Sequence, residues 1–496
     1  MLVGADADNG GRVAVIGAGV SGMAIGLRLL KAGVDFTIFE KGPEVGGTWR
    51  DNRYPGLTID VPSPLYTFKG WRHPGWRRWM PDWREILDYH RAVATDSGLR
   101  ERIRFGTEVV AATWTGAEWE LETADGAVER FRVAVFATGF LHHPRIPDFE
   151  GLGDFAGELV HSARWRDEIV TVGRRVGVVG NGSTGVQLVG ELGGKAAHLT
   201  MFQRTPQWIF PLPDFGIPAP VRRLLARVQG LSDVIVEGLV RFADSFVGGA
   251  SVKDDWRRRI IDWVAERHLR SVRDPDLREK LTPPDAALCK RPVVSTRFYK
   301  VVQRDDVEVA TAAIDRIVPE GIVTADGATH LLDVLILATG FAAHNYMRPI
   351  AIRGEGGVEL TDVWASGPHG YRTVALAGFP NLFMLMGPHS PLNTIAIHES
   401  AELQSDYVMQ MLEVLDREGA VSVAPTAEAT ARWLDYIRDG MPGTVWASGC
   451  NSWYLGDGDV PVLWPYDRRA WRAALERPEL GDYEVKTVEP VDVGAL

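Results

Sequence analysis

The chain has 496 residues, 45% hydrophobic and 24% charged, with 53 glycines, 17 tryptophans and a formal net charge of −11. That length exceeds a single hydrophobic core, so two or three domains are expected. The acidic balance excludes a general nucleic-acid binder, which needs clustered Lys and Arg to neutralise phosphates.

The opening stretch, MLVGADADNGG, carries no basic residue and does not read as a secretory signal. The apolar run that follows is interrupted by glycines and is too short to cross a bilayer, so no membrane span is expected. Within that run, RVAVIGAGVSG places Gly17, Gly19 and Gly22 in the pattern G-x-G-x-x-G after a strand over 13–16. The first glycine makes the turn, the second admits a pyrophosphate, and the third lets the helix pack on the strand. A helix and a second strand, DFTIFE, follow. Glu40 closes that strand at the distance past Gly22 where a carboxylate takes a ribose hydroxyl. Next comes KGPEVGGTWRDNRYPGLTIDVPSPLYTF. Gly46 and Gly47 permit a second close backbone approach, Thr48 follows them, and Trp49, Tyr54 and Tyr66 supply flat rings. Such a loop suits a large tricyclic ring beside the first pyrophosphate, so this half is expected to bind FAD.

FRVAVFATGF (131–140) and LDVLILATGF (332–341) repeat one device, an apolar strand ending in Ala-Thr-Gly-Phe. Each reads as a point where the chain leaves one nucleotide-binding domain for another. After the first comes FAGELVHSARW, with Phe155, Gly157, His161 and Trp165 spaced F-x-G-x-x-x-H-x-x-x-W. It is expected on the crossover between the two domains, with Gly157 at a bend, the aromatics as anchors and His161 fixing or sensing domain placement. A plain linker with a buried histidine is the alternative. His142 and His143 sit in a loop with no nearby Cys or acid cluster, so no metal is expected.

RRVGVVGNGSTG repeats the loop with Gly180, Gly182, Ser183, Thr184 and Gly185. Here Arg204 stands where Glu40 stands in the first unit. A guanidinium suits a phosphate on the ribose and accepts nothing from a hydroxyl, so this half is expected to bind NADPH. Residues 218–285 carry apolar residues at three-and-four spacing and read as amphipathic helices with a solvated face. The cysteines, Cys289 and Cys450, lie far apart with no C-x-x-C. That argues against a disulfide framework, a zinc site and a dithiol redox centre, and for a reduced, cytoplasmic compartment. FAAHNYMRPI (341–350) and GPHSPLNTIAIHES (387–400) are expected to line a substrate cavity, with Asn393 and the apolar Leu392, Ile395 and Ile397. The tail past Tyr483 shows no apolar periodicity and is expected to be loosely ordered.

The fold class expected is α/β, with two Rossmann-like dinucleotide-binding domains and a helical insertion. The division reads as a first FAD-binding part at 1–140, linker and first NADPH-binding part at 141–217, and insertion at 218–285. A second NADPH-binding part follows at 286–375, and a second FAD-binding part with the tail at 376–496.

With F-x-G-x-x-x-H-x-x-x-W between two glycine loops, the chain resembles the Baeyer–Villiger monooxygenases, a branch of the class B flavin-dependent monooxygenases. GAGVSG, GGTWRDNRYPG, FQRTPQW, CKRP and GFPNLFMLMGPHSP stand in family order over roughly 12–470. After the Trp the family pattern usually has Pro or Asp; this chain has Arg166 and then Asp167. The resemblance implies that NADPH reduces FAD and that O2 then gives a flavin peroxide, which attacks a ketone to yield an ester or lactone. By the same match, Arg291 of CKRPVVSTRFY stabilises the peroxide and Asp60 pairs with it. Lys290 contacts the NADPH ribose phosphate with Arg204 and Thr205. Two other readings stay open: an N- or S-oxygenating flavin monooxygenase, and a nucleotide-binding redox sensor without oxygenase activity.

Overall fold

The computed structural model describes residues 13–487 apart from 74, 392–395, 418, 451 and 457–459. Two parallel five-stranded sheets organise it. In the first, β1 (Val13–Ile16) lies between β2 (Phe36–Glu40) and β7 (Val133–Phe136), in register Val13 to Phe36 and Val13 to Val133. The strands Ile103–Phe105 (β3) and Leu382–Met384 close its edges. Both faces of β1 and β7 are covered, which is why they are continuous apolar runs and not alternating ones. α1 (Val20–Ala32) returns the chain from β1 to β2 and stops at Gly33, whose φ of 68° supplies the left-handed C-cap. The short α2 (Thr48–Asp51) and α3 (Trp83–Asp96) follow.

An antiparallel layer joins this lobe: β4 (Val109–Trp114), β5 (Trp119–Thr123) and β6 (Val128–Phe131). The strand Ala351–Arg353 pairs with β4, and Ile352, Leu360 and Trp364 share a core with Trp114, Trp119 and Phe136. The chain therefore rejoins the first lobe from about 351, upstream of the 376 boundary expected from sequence.

The second sheet repeats the plan. β9 (Arg175–Val179) lies between β10 (His198–Phe202) and the strand Val334–Leu337, with Val307–Ala310 and β8 (Glu158–His161) at the edges. α4 (Ser183–Leu192) follows β9. β8 comes from the FAGELVHSARW segment, so its central residues form an edge strand of the second sheet rather than a bare crossover.

The two Ala-Thr-Gly-Phe sequences do more than change direction. Gly17 has φ 107°, and a Cβ there would stand 2.6 Å from the Ala137 carbonyl oxygen; Gly180, with φ 108°, faces Ala338 in the same way. Each repeat thus lays a carbonyl over the first glycine of its own loop, and only glycine fits beneath it.

The insertion is helical as expected: α5 (Ala219–Arg227), α6 (Gln229–Ala243), α7 (Gly249–Val252), α8 (Trp256–Leu269) and α9 (Pro275–Lys280). α8 buries Ile261, Ala265 and Leu269 and leaves Trp256 and Trp263 outside.

Two expectations are corrected. Tyr483–Thr487 is an antiparallel strand on Ala420–Pro425, so the start of the tail is ordered; the ladder and the buried Tyr483 ring supply what apolar periodicity did not. Cys289 and Cys450 are joined as a disulfide, with Cα atoms 5.5 Å apart. Sequence separation carries no information on this, because the fold returns the C-terminal lobe to the end of the insertion.

Candidate active site

Both glycine loops end in a helix whose N-terminus has no side-chain cap. Gly19 precedes α1 and Gly182 precedes α4, each in extended conformation. The free N–H groups and the positive helix end are what a pyrophosphate requires. In the first lobe Gly47, with φ 50°, faces Gly19, and a Cβ on it would press to 3.1 Å of the Gly19 Cα. Two strands of backbone without side chains thus flank the same space, and Gly22 sits against Gly17 beneath it. Glu40, buried at the end of β2, accepts from the Ala18 amide at 2.8 Å, the Gly42 amide at 2.7 Å and Arg50 Nη1 at 2.7 Å. These bonds fix its carboxylate beside the loop. Arg50 was not singled out from sequence; its place two residues past the G-G-T run gave no sign that it folds back onto Glu40.

The aromatic loop after Glu40 closes the first site. Trp49 Nε1 donates to the Tyr66 hydroxyl at 2.7 Å with the rings edge to face, and Thr48 begins α2 beside them. Burial raises the Tyr66 hydroxyl well above its ordinary pKa, so it stays a neutral donor. Tyr54 reaches the other lobe instead. Its hydroxyl donates to Gln187 Oε1 at 2.8 Å and accepts from Thr184 Oγ1 at 3.2 Å, while Gln187 Nε2 donates to the Thr58 carbonyl at 3.0 Å. Thr184 is therefore a strut between lobes, and Gln187, overlooked in the sequence, is its partner.

In the second lobe Gly180 and Gly185 pack as Gly17 and Gly22 do, and Ser183 opens α4. Asn181 Nδ2 donates to the Thr205 carbonyl at 2.8 Å, tying the loop to the segment after β10. Arg204 is exposed and lines an open cleft with Lys280, Thr311 and the acids Asp276 and Glu279; among the described residues it makes no ion pair. Lys290 is placed elsewhere. It pairs with Asp285 at 2.8 Å and lines a neighbouring cavity with Arg291; Pro206 borders both spaces. The lysine beside Arg204 is Lys280, which sequence reasoning missed.

Arg291 and Asp60 meet as the match implied. The guanidinium donates from Nε to Oδ2 and from Nη2 to Oδ1, both at 2.8 Å, a two-pronged pair between segments 231 residues apart. Planar fork and carboxylate fix each other's orientation as no single contact could. Burial works against the Asp60 carboxylate, but the Arg291 charge and hydrogen bonds win and hold its pKa below the usual range. Asp60 in turn raises that of Arg291, which burial opposes. Arg291 keeps 44% of its side-chain surface open against 19% for Asp60, and it is Arg291 that lines the cavity. The site thus presents a permanent cation backed by a carboxylate. Tyr66 and Tyr454 act electrostatically on the same guanidinium; Tyr454 had no motif to mark it.

The FAGELVHSARW residues are positioned by the second sheet. Phe155 is buried with Leu332 and Leu335, and a Cβ on Gly157 would collide with that ring and the Asp333 carbonyl. His161 Nδ1 accepts from the Ala163 amide at 3.1 Å, and its ring meets Phe341 edge to face. Burial lowers its pKa, so it is neutral near pH 7. Trp165 packs on the main core, and Arg166 pairs with Glu158 across the turn. His142 bonds to the Tyr346 carbonyl at 2.9 Å. Leu392, Asn393 and Ile395 lie outside the described residues; Ile397 opens the helix Ile397–Arg417 and packs against the cores.

Residues 10–349 match the model of the flavin-binding monooxygenase-like family. An uncharacterized monooxygenase of Mycobacterium tuberculosis is 43% identical over 96% of both chains. A Baeyer–Villiger monooxygenase of Streptomyces coelicolor is 35% identical over 98% of this chain and 94% of its own. Among solved structures, cyclohexanone monooxygenase from Rhodococcus bound to NADP+ superposes with a TM-score of 0.86 at 30% identity, over 96% of this chain and 99% of that one. A steroid monooxygenase bound to NADP gives 0.85 at 30% identity over the same shares. Two glycine cradles, one carboxylate-ended and one arginine-ended, together with an Arg–Asp fork, agree with this kinship: the chain belongs to the flavin-binding monooxygenases, within their Baeyer–Villiger branch.

Proposed function

We propose that the protein binds FAD in the first lobe and NADPH in the second, and uses O2 to convert a ketone to an ester or lactone. NADPH, a proton, O2 and ketone are consumed; NADP+, water and the ester are formed. The observation that carries the reading is the Arg291–Asp60 fork, whose guanidinium keeps an open edge. Bound FAD would supply the redox chemistry between NADPH and oxygen; the chain's own residues must hold the negative charge that develops on oxygen and exclude water. Arg291 cannot lose its proton, so it is a fixed cation for an anionic oxygen nucleophile and for the oxyanion that forms at the carbonyl. Asp60 keeps the guanidinium aimed without neutralising its open edge. Oxygenation of amines or sulfides by a protonated oxidant needs no such cation, so the fork favours the ketone reading. A redox sensor would need no cation there at all. The NADPH requirement suits the cytoplasm, where that reductant is regenerated.

Arg291→Ala tests this. FAD content and NADPH-driven flavin reduction are expected to persist, while ester formation falls by about 10²–10³-fold, the loss typical of removing one charge-stabilising donor. NADPH consumption then ends in hydrogen peroxide. Ester formation near the wild-type rate would remove Arg291 from the chemistry.

A further inference from the structure

We propose that the Cys289–Cys450 disulfide is a positioning staple for Arg291, closed by hydrogen peroxide that the same site releases when turnover is uncoupled. The inference rests on the oxygenase reading above. Cys289 stands two residues before Arg291 and lines the same cavity. Cys450 belongs to the C-terminal lobe, between the turns Val445–Ser448 and Trp453–Leu455, the second of which carries Tyr454. The bond therefore ties the chain bearing the fixed cation to the segment bearing a tyrosine that acts on it.

Two further observations support a positioning role. Leu288, next to Cys289, is held at φ 69°, a left-handed conformation that residues other than glycine avoid and that persists only when its surroundings over-determine it. Both cysteines are almost closed to bulk water, at 2% and 7% exposure, inside a cluster with Ala265 of α8, Trp446 and Tyr454. Such a pair is shielded from large thiols in bulk water, whereas hydrogen peroxide is small enough to reach it. Disulfides in reducing compartments are rare and, when present, are usually catalytic or redox-sensing.

The step balances. Uncoupled turnover consumes NADPH, a proton and O2 and yields NADP+ and H2O2. One cysteine thiolate attacks a peroxide oxygen, the O–O bond breaks, and water leaves with the proton, giving a sulfenic acid. The second thiol displaces the sulfenic oxygen as water and forms the S–S bond. Two thiols are oxidised and one peroxide is reduced to two waters. With the staple open, the Arg291 segment is free to shift from the oxygen nucleophile and peroxide escapes; the escaping peroxide closes the staple and restores coupling.

The FAD-loaded enzyme is reduced with a phosphine, freed of it, and given NADPH in air, NADPH under argon, or air alone. Non-reducing peptide mass spectrometry follows the Cys289–Cys450 link, and peroxide per NADPH is read with a ketone that the enzyme converts. The link is expected to accumulate only with NADPH and air, and peroxide per NADPH to fall several-fold as it forms. The double variant Cys289→Ser/Cys450→Ser is expected to leak at the level of the reduced enzyme whatever its treatment. Should that variant fail to fold, the reduced and reoxidised forms of the wild-type chain decide alone. A link that forms without changing the leak, or thiols that stay free while peroxide is produced, overturns the staple and leaves the oxygenase reading standing. Absence of flavin reduction by NADPH would overturn both.

Discussion

The two glycine-loop sites have nearly the same backbone and opposite ends. Each has an apolar strand, a first glycine at φ near 108° under an Ala carbonyl, and an uncapped helix start. They differ in what stands at or just past the end of the second strand. Glu40 is buried and held by two amides and Arg50, whereas Arg204 is exposed beside an open cleft. The backbone device is generic to a pyrophosphate; on the reading proposed above, one side chain would choose between a ribose with free hydroxyls and one carrying phosphate. The fixed acid suits a cofactor that stays, and the free guanidinium suits one that comes and goes.

The comparison breaks most sharply at the first glycines. Gly17→Ala is expected to abolish FAD retention and give colourless protein. Gly180→Ala is expected to leave the protein yellow but no longer reducible by NADPH. In each case the added methyl meets a carbonyl at a φ that side chains avoid. Absorbance of the purified proteins and anaerobic reduction read both; loss of flavin from both variants would mean that the loops are not separate sites.

A smaller effect isolates the side chain. Arg204→Ala removes a charge-assisted contact, for an expected loss of about 1.5–3 kcal/mol, or roughly 10–150-fold in NADPH affinity. NADH, without the phosphate, should change little. Equal losses for both nucleotides would take Arg204 out of phosphate recognition.

His161→Ala tests whether the edge strand of the second sheet governs that lobe's placement. It leaves the Ala163 amide without its partner, at about 1–3 kcal/mol of stability. FAD content should hold while turnover falls and more peroxide escapes per NADPH; a lowered melting temperature with unchanged coupling would reduce the segment to a structural role.

Mild acid should separate the lobes least drastically. In the first lobe His90 and His398 are buried with Nε2 atoms 3.4 Å apart, beside Phe68; burial holds His90 down to about 3 and His398 well below its usual value. The unfolded chain binds these protons first, so the stability is whole above about 6.5 and is lost as pH falls from there toward 3. Between pH 7 and 5 the His90 ring should cost about 2 kcal/mol, and His398 acts in the same direction. His90→Gln should flatten melting temperature against pH by one ring's share; an unchanged slope would place the acid sensitivity elsewhere.

Much of this was legible in the sequence because local physics writes it there. Glycine spacing, buried parallel strands and the residue past each second strand are all short-range signals. Asp60 with Arg291 came from family resemblance, since no local rule joins segments so distant. What stayed hidden depends on tertiary return of the chain: the Cys289–Cys450 bond, the Tyr54–Gln187 strut, Arg50 folding onto Glu40, and Lys280 beside Arg204 where Lys290 was expected. The Ala-Thr-Gly-Phe repeats were visible, but their purpose, a carbonyl laid over a glycine, shows only when the two strands lie side by side.

The most direct measurement is isotopic. Purified yellow enzyme is given NADPH, ¹⁸O2 and a panel of cyclic, linear, aryl and steroid ketones, and products are weighed by mass spectrometry. The expected result is an ester or lactone carrying a single ¹⁸O atom, one NADPH consumed per product, and loss of that product but not of NADPH oxidation in Arg291→Ala. Unlabelled product, or oxygen transferred to sulfides and amines but to no ketone, would contradict it.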